Sequence, residues 1–333
     1  MLPVAELHVH IEGTLEPELL VKLATRNGTP MPTLDVDELR AQYRFDSLRS
    51  FLGLYYANLR VLQVEQDFYD LASAYLSRAA AAGVRRAEIF FDPQTHLANG
   101  VPLEEVFGGL TAALADGARD HGISAGLILC FLRDLGPDAA VTVLRACLPF
   151  RDKFIGVGLD SAEVGHPPAR FTEVYRRAAA EGLQLVAHAG EEGGPDYVRE
   201  ALDLLRVERV DHGVRSMEDP ELVARLRAEQ IPLTVCPLSN VALRVVRTLA
   251  EHVLPGMLDA GLLATVNSDD PAYFGGYVDD NLAAVRDTFG FDDARLAALA
   301  RNSFDACFAP EADKQRWKAE VDAWLAASAS APS

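Results

Sequence analysis

The sequence predicts an α/β fold, a (β/α)8 barrel with a helical insertion between strands one and two. Three observations predict it. Eight short apolar runs recur along 333 residues. Longer stretches rich in Ala, Leu and Arg, with helical periodicity, separate them. In four of the runs the polar residues gather at the C-terminal end, the end at which such a barrel carries its site.

The runs are AELHVH (5–10), AEIFFD (87–92), SAGLILCF (124–131), FIGVGLD (154–160), LQLVAHA (183–189), RVDHG (209–213), IPLTVCP (231–237) and LLATVNSDD (262–270). Continuous apolar runs of this length suit parallel strands buried on both faces. The first gap is long, about 75 residues, and holds three helical patterns at 17–28, 48–62 and 65–83. We expect these to pack over the barrel mouth, as a lid or as a structural cap. One domain is expected over 1–325, followed by a frayed tail at 326–333 whose residues are small and polar.

The bulk numbers exclude several classes. The net charge is −18, from 49 acids against 31 Lys and Arg, and no basic run interrupts it. Nucleic-acid partners are therefore not expected. The four cysteines are scattered without a CxxC pair, which argues against a disulfide framework and a Cys-rich metal site. No leader pattern or membrane-length apolar run is present, so a cytoplasmic protein without membrane partners is expected. The sequence assigns no oligomeric state.

His8 and His10 are two apart on a strand, so both imidazoles face one side. Taken alone, they are as readily an ordinary histidine pair. His188 ends another run and Asp269 a third, and three imidazoles with a carboxylate suit Zn2+. In HAGEE (188–192), Glu191 or Glu192 either caps the next helix or supplies a general acid. His212, in VDHGV, either packs in the core or orients a nucleophile. Asp269 and Asp270 precede Pro271, where an Asx turn is the plain alternative. FFDPQ (90–94) and DSAEVG (160–165) offer Asp92 and Glu163 as substrate contacts. His121 and His252 read as surface residues, and His96 and His166 as mouth-side ones.

Together LHVHIEGTL, HAGE, DHG and NSDDP resemble the adenosine/adenine deaminase branch of the amidohydrolase superfamily, in motif order and spacing from residue 4 to about 305. The resemblance implies a (β/α)8 barrel and one catalytic Zn2+ held by His8, His10, His188 and Asp269. It implies Glu191 as proton donor to a purine ring, with His212 and Asp270 orienting and deprotonating the attacking water. Asp270 also looks like the residue at purine N7. Strand four lacks the lysine that bridges two metals in other amidohydrolases, and the H-x-E…P-C-x-x-C motif of the unrelated base deaminases is absent.

Relatives acting on adenosine usually read HLDG in the first motif, whereas here it is His10-Ile11-Glu12-Gly13. The longer Glu12 is expected to reach into the cavity, occupy the space a ribose needs and accept the N9–H of a free base. That points to adenine. Adenosine, an N6-substituted adenine and a larger aminopurine nucleoside are the alternatives, and a non-catalytic purine-binding paralogue is the reading of another class. One departure stands out: NVALRVV (240–246) replaces a more polar Thr-Lys pair.

Overall fold

A computed structural model describes residues 1–329. Eight parallel strands lie in sequence order: β1 (Val4–His10), β2 (Val84–Phe91), β3 (Ser124–Leu132), β4 (Phe154–Asp160), β5 (Gln184–Ala189), β6 (Arg209–His212), β7 (Leu233–Val235) and β8 (Ala264–Val266). The chain just past β8 closes the sheet onto β1. His10 N donates to Asp269 O at 3.0 Å, Asp269 N to His8 O at 2.9 Å, and Val9 bridges Asp269. The result is the expected (β/α)8 barrel.

The last two strands are shorter than the runs at 231–237 and 262–270 suggest. Pro232 lacks an N–H for the ladder, and Pro237 opens a helix, Pro237–Ala242. After β8 the backbone of Asp269 turns to φ +66°, which ends extended structure.

Between β1 and β2 lie α1 (Pro17–Asn27), α2 (Val36–Ala41), α3 (Leu48–Asn58) and α4 (Glu65–Ala81). Local chemistry sets their ends. Pro17 starts α1 and Gly28, at φ 62°, stops it. Asp35 caps α2 through the N–H groups of Asp37 and Glu38, and Ser47 caps α3 through Ser50 N. The three helical patterns do not share one role. Only α3 walls the cavity at the mouth; Phe51 packs against Tyr273 and Phe274 beyond β8. α4, expected over the mouth, runs instead alongside the outer helix Leu103–His121 as the crossover from β1 to β2. Its long amphipathic register fits an outer ring as well as a lid, and the pattern alone does not separate the two.

The barrel interior has two zones. Phe90, Ile128, Cys130 and Val186 fill its middle. Below them Arg209, fully buried, donates to Glu88 Oε2 at 2.5 Å and to Leu7 O at 3.3 Å; Arg86 and Phe308 N bind the other oxygen of Glu88 at 3.1 and 2.7 Å. Burial alone would raise the Glu88 carboxyl, but Arg209 and Arg86 hold it below its ordinary value. Residues 326–329, expected in the tail, continue the last helix, Glu311–Ala329; positions 330–333 lie outside the described residues. No described helix is long and apolar enough to cross a membrane.

Candidate active site

The C-terminal strand ends meet at one cavity, lined by His10, His188, His212, Glu191, Asp269, Asp270, Asp92 and Asp160 together with α3. Strand geometry explains the convergence. β1 places His8 and His10 on its inner face, β5 brings His188, and the turn after β8 brings Asp269.

His8 Nε2 and His10 Nε2 lie 3.5 and 3.6 Å from Asp269 Oδ1, and His10 Nε2 lies 3.2 Å from His188 Nε2. These buried ring nitrogens and the Asp269 carboxylate converge on one point, the arrangement a shared cation would join. Burial pushes His10 down to about 4 and His188 well below its ordinary value, which keeps both neutral and fit to ligate. His8 Nε2 has no hydrogen-bond partner in the protein. Its other nitrogen faces Thr234 Oγ1 at 2.9 Å, and Thr234 donates to Asp211 Oδ1 at 2.9 Å, so the tautomer that leaves Nε2 bare is fixed from behind. Asp160 Oδ2 stands 3.6 Å from His10 Nδ1, and Asp211 Oδ2 stands 3.7 Å from His188 Nδ1. The donor set fits a borderline-soft divalent cation such as Zn2+. Cys236 reaches the same centre, but burial raises its thiol and its hydrogen points to Thr234 O at 3.6 Å.

Glu191 and His212 flank this group. Their Oε2 and Nε2 are 3.6 Å apart, and His212 Nε2 is 3.8 Å from Asp269 Oδ2. Burial, then Asp269 and Glu163, raise the Glu191 carboxyl well above its ordinary range, the direction a general acid requires. Burial pushes His212 down to about 3. His212 and Asp269 both have left-handed backbones, at φ 62° and 66°, uncommon conformations of the sort that cluster at functional sites.

Asp270 is buried, with one oxygen unpartnered, and burial followed by Asp269 raises it well above its ordinary value. It lies against Gly13. A Cβ there would sit 1.9 Å from Asp270 Oδ1, so the glycine of HIEG is a space requirement. Asp92 and Asp160 stand together beside His10 on the cavity wall. Burial, then the neighbouring Asp160 and Glu12, raise Asp92 well above its ordinary value, and burial raises Asp160 to about 7.

Three expectations need correction. Glu12 is not among the residues lining the cavity. Its Oε1 accepts from Asp92 N at 3.0 Å and His96 Nε2 at 2.8 Å, and its Oε2 has no partner in the protein. The short 3-10 turn Glu12–Thr14 turns the side chain toward the end of β2, which no spacing in the first motif reveals. Glu163 is no wall residue either; its oxygens accept four backbone N–H groups of residues 190–193. His252 is buried, not exposed, and bonds Asn240 Oδ1 at 3.0 Å. Thr234, Asp211 and His96 were missed as supports. Their signal was polar residues at buried strand positions or one helical turn past β2, but which ligand each serves depends on the closed barrel. His166, in the loop after β4, accepts from Arg170 Nη1 at 3.1 Å.

Residues 3–324 match the adenosine deaminase family. The chain is 62% identical over 325 residues to a Streptomyces coelicolor protein named adenine deaminase, covering 97% of this chain and 96% of the relative. A solved Arthrobacter aurescens structure, described as adenine deaminase, is 56% identical, covers 98% of this chain and 100% of its own, and superposes with a TM-score of 0.97. A Burkholderia ambifaria amidohydrolase solved with bound Zn is 32% identical, covers 98% of this chain and 93% of its own, and gives a TM-score of 0.88. The buried His/Asp centre, the eight-stranded barrel and this full-length similarity agree: the chain belongs to the adenosine deaminase family.

Proposed function

We propose that the protein hydrolyses adenine to hypoxanthine and ammonia, as a cytoplasmic enzyme of purine salvage, with one Zn2+ per chain held by His8, His10, His188 and Asp269. The observation that carries the reading is one cavity in which that donor set stands beside the buried Glu191 and the acids Asp270, Asp92 and Asp160. The named relatives support adenine as the substrate.

When bound, zinc supplies a water acidic enough to ionise near pH 7. The chain's own residues do the rest. Attack at C6 drives electron density into the purine ring. Glu191, kept protonated by burial, delivers its proton to N1 and removes that cost. His212, neutral and next to Glu191, orients the attacking water, whose proton passes by way of Asp270 to the C6 amino group. The C6–N bond then breaks, ammonia leaves, and the C6 hydroxyl proton returns to Glu191 as the carbonyl forms. Asp270, with its unpartnered oxygen, faces N7. Across the cavity, the Asp92–Asp160 pair offers one donor and one acceptor, which matches the N3 and N9–H edge of a free base. A ribose on N9 removes that hydrogen. Glu12 enters the selection indirectly, through its bond to Asp92 N.

The test is a substrate panel. Zinc-loaded protein mixed with adenine should shift the ultraviolet spectrum to that of hypoxanthine and release equimolar ammonia. Faster turnover of adenosine than of adenine would reject the base as the substrate. Tight purine binding without ammonia release would reject catalysis.

A further inference from the structure

The residues after β5 read Gly190-Glu191-Glu192-Gly193, and all four of their backbone N–H groups point at one side chain. Glu163 Oε1 accepts from Gly190 N at 2.7 Å. Its Oε2 accepts from Glu191 N at 3.1 Å, Glu192 N at 2.7 Å and Gly193 N at 2.8 Å. Glu163 is 1% exposed and comes from the loop after β4, so it ties two neighbouring strand ends together. Successive amides curled round an anion form a nest, and here an internal carboxylate fills it. The loop is held from other sides as well. Arg133, fully buried, donates to His188 O at 2.8 Å, and Arg215 donates to Glu192 O at 2.5 Å. Gly193 leaves room for this grip: a Cβ there would lie 2.8 Å from Glu163 Oε1.

We propose that Glu163 is a positioning residue for proton transfer: its four amide bonds fix the loop that aims the Glu191 carboxyl. The proposal rests on the reading of Glu191 as the proton donor. Only a carboxylate serves in this place. Glutamine would turn an N–H group toward amide donors, and aspartate, one methylene shorter, would not span all four. A displacement of about 1 Å at a reacting group costs on the order of 100-fold in rate, whereas substrate held by other walls is still bound.

The test is Glu163→Gln in the zinc-loaded enzyme, measured against wild type on the same substrate. We expect kcat to fall roughly 30- to 300-fold, KM to stay within about threefold, and zinc content to be unchanged. Amide exchange over residues 188–195 should quicken at least about tenfold, a readout independent of which purine is the substrate. A rise in KM at constant kcat would make Glu163 a substrate contact and overturn the proposal. Loss of zinc in step with activity, or unchanged exchange, would overturn it too. Should this variant not fold, Arg215→Gln loosens the same loop from its other side. A loss of about threefold to tenfold in kcat at constant KM then supports the proposal, and no loss, or a KM effect, rejects it. Absence of turnover by the wild type would count against the function and leave the exchange result to decide the loop's role.

Discussion

The floor and the mouth of the barrel both bury charge, and they do so in opposite ways. At the floor, Glu88 is surrounded by Arg209, Arg86 and a backbone amide, and every oxygen has a cation or N–H against it. At the mouth, Asp92, Asp160, Asp269, Asp270 and Glu191 share one cavity with no Lys or Arg on its lining. Burial and mutual repulsion push four of these five up, and unpartnered oxygens remain on Asp92, Asp160, Asp270 and Glu191. At the floor the Glu88 carboxylate is satisfied from within the chain. The mouth is completed only by a cation and by the hydrogen-bonding edges of a ligand. Buried acids without partners are costly, so their accumulation here marks function rather than stability.

The contrast can be broken most sharply at Asp269. On the proposed reading, Asp269→Asn removes the one carboxylate of the zinc-holding set, and kcat should fall about 10⁴-fold with loss of bound zinc, read by metal analysis beside the rate. At the floor the sign reverses. Arg209→Met leaves Glu88 without its main cation and should cost about 3–5 kcal/mol of stability by denaturant titration, with activity per folded molecule preserved. Loss of activity without loss of stability would show that the two zones are coupled.

Between them lies Glu12. Glu12→Ala strips the acceptor from Asp92 N and His96 and should lower kcat/KM for adenine about tenfold without opening the site to adenosine. A gain in adenosine turnover would show that the side chain reaches the ligand after all. The smallest effect concerns pH. Asp160 has a folded value of about 7, raised mainly by burial, against an ordinary value of 3.8. The folded state then holds the proton more tightly than the unfolded one. Its contribution is present below pH 3.8 and is lost as pH rises through 7. Metal-free wild type should therefore lose stability from pH 5 to 8 more steeply than metal-free Asp160→Asn, by about 1–2 kcal/mol in chemical denaturation.

The fold and the convergence of His8, His10, His188 and Asp269 were legible because each rests on a short-range rule. Apolar runs gave the strands, and the two-residue period put His8 and His10 on one face. Strand ends gave His188 and Asp269. The supports were not legible, because each joins residues far apart in sequence. Glu12 meets His96 across 84 positions, and Glu163 meets the 190–193 amides only once β4 and β5 are neighbours. The same limit made Glu12 look like a wall residue: its length was readable, its direction was not. Arg209 and Glu88 lay inside runs read only for their apolar character, and their pairing spans 121 positions.

The seam between β1 and the chain past β8 is stitched by His8, His10 and Asp269 through their own backbones. The residues that converge at the centre with their side chains therefore also shut the barrel with their peptide groups. During synthesis His8 and His10 leave the ribosome long before Asp269 exists. They wait, without their fourth partner, for some 260 residues to be added. Closure and assembly of the centre are one late event, and a chain arrested before Asp269 would carry three of the four donors and neither a seam nor a site.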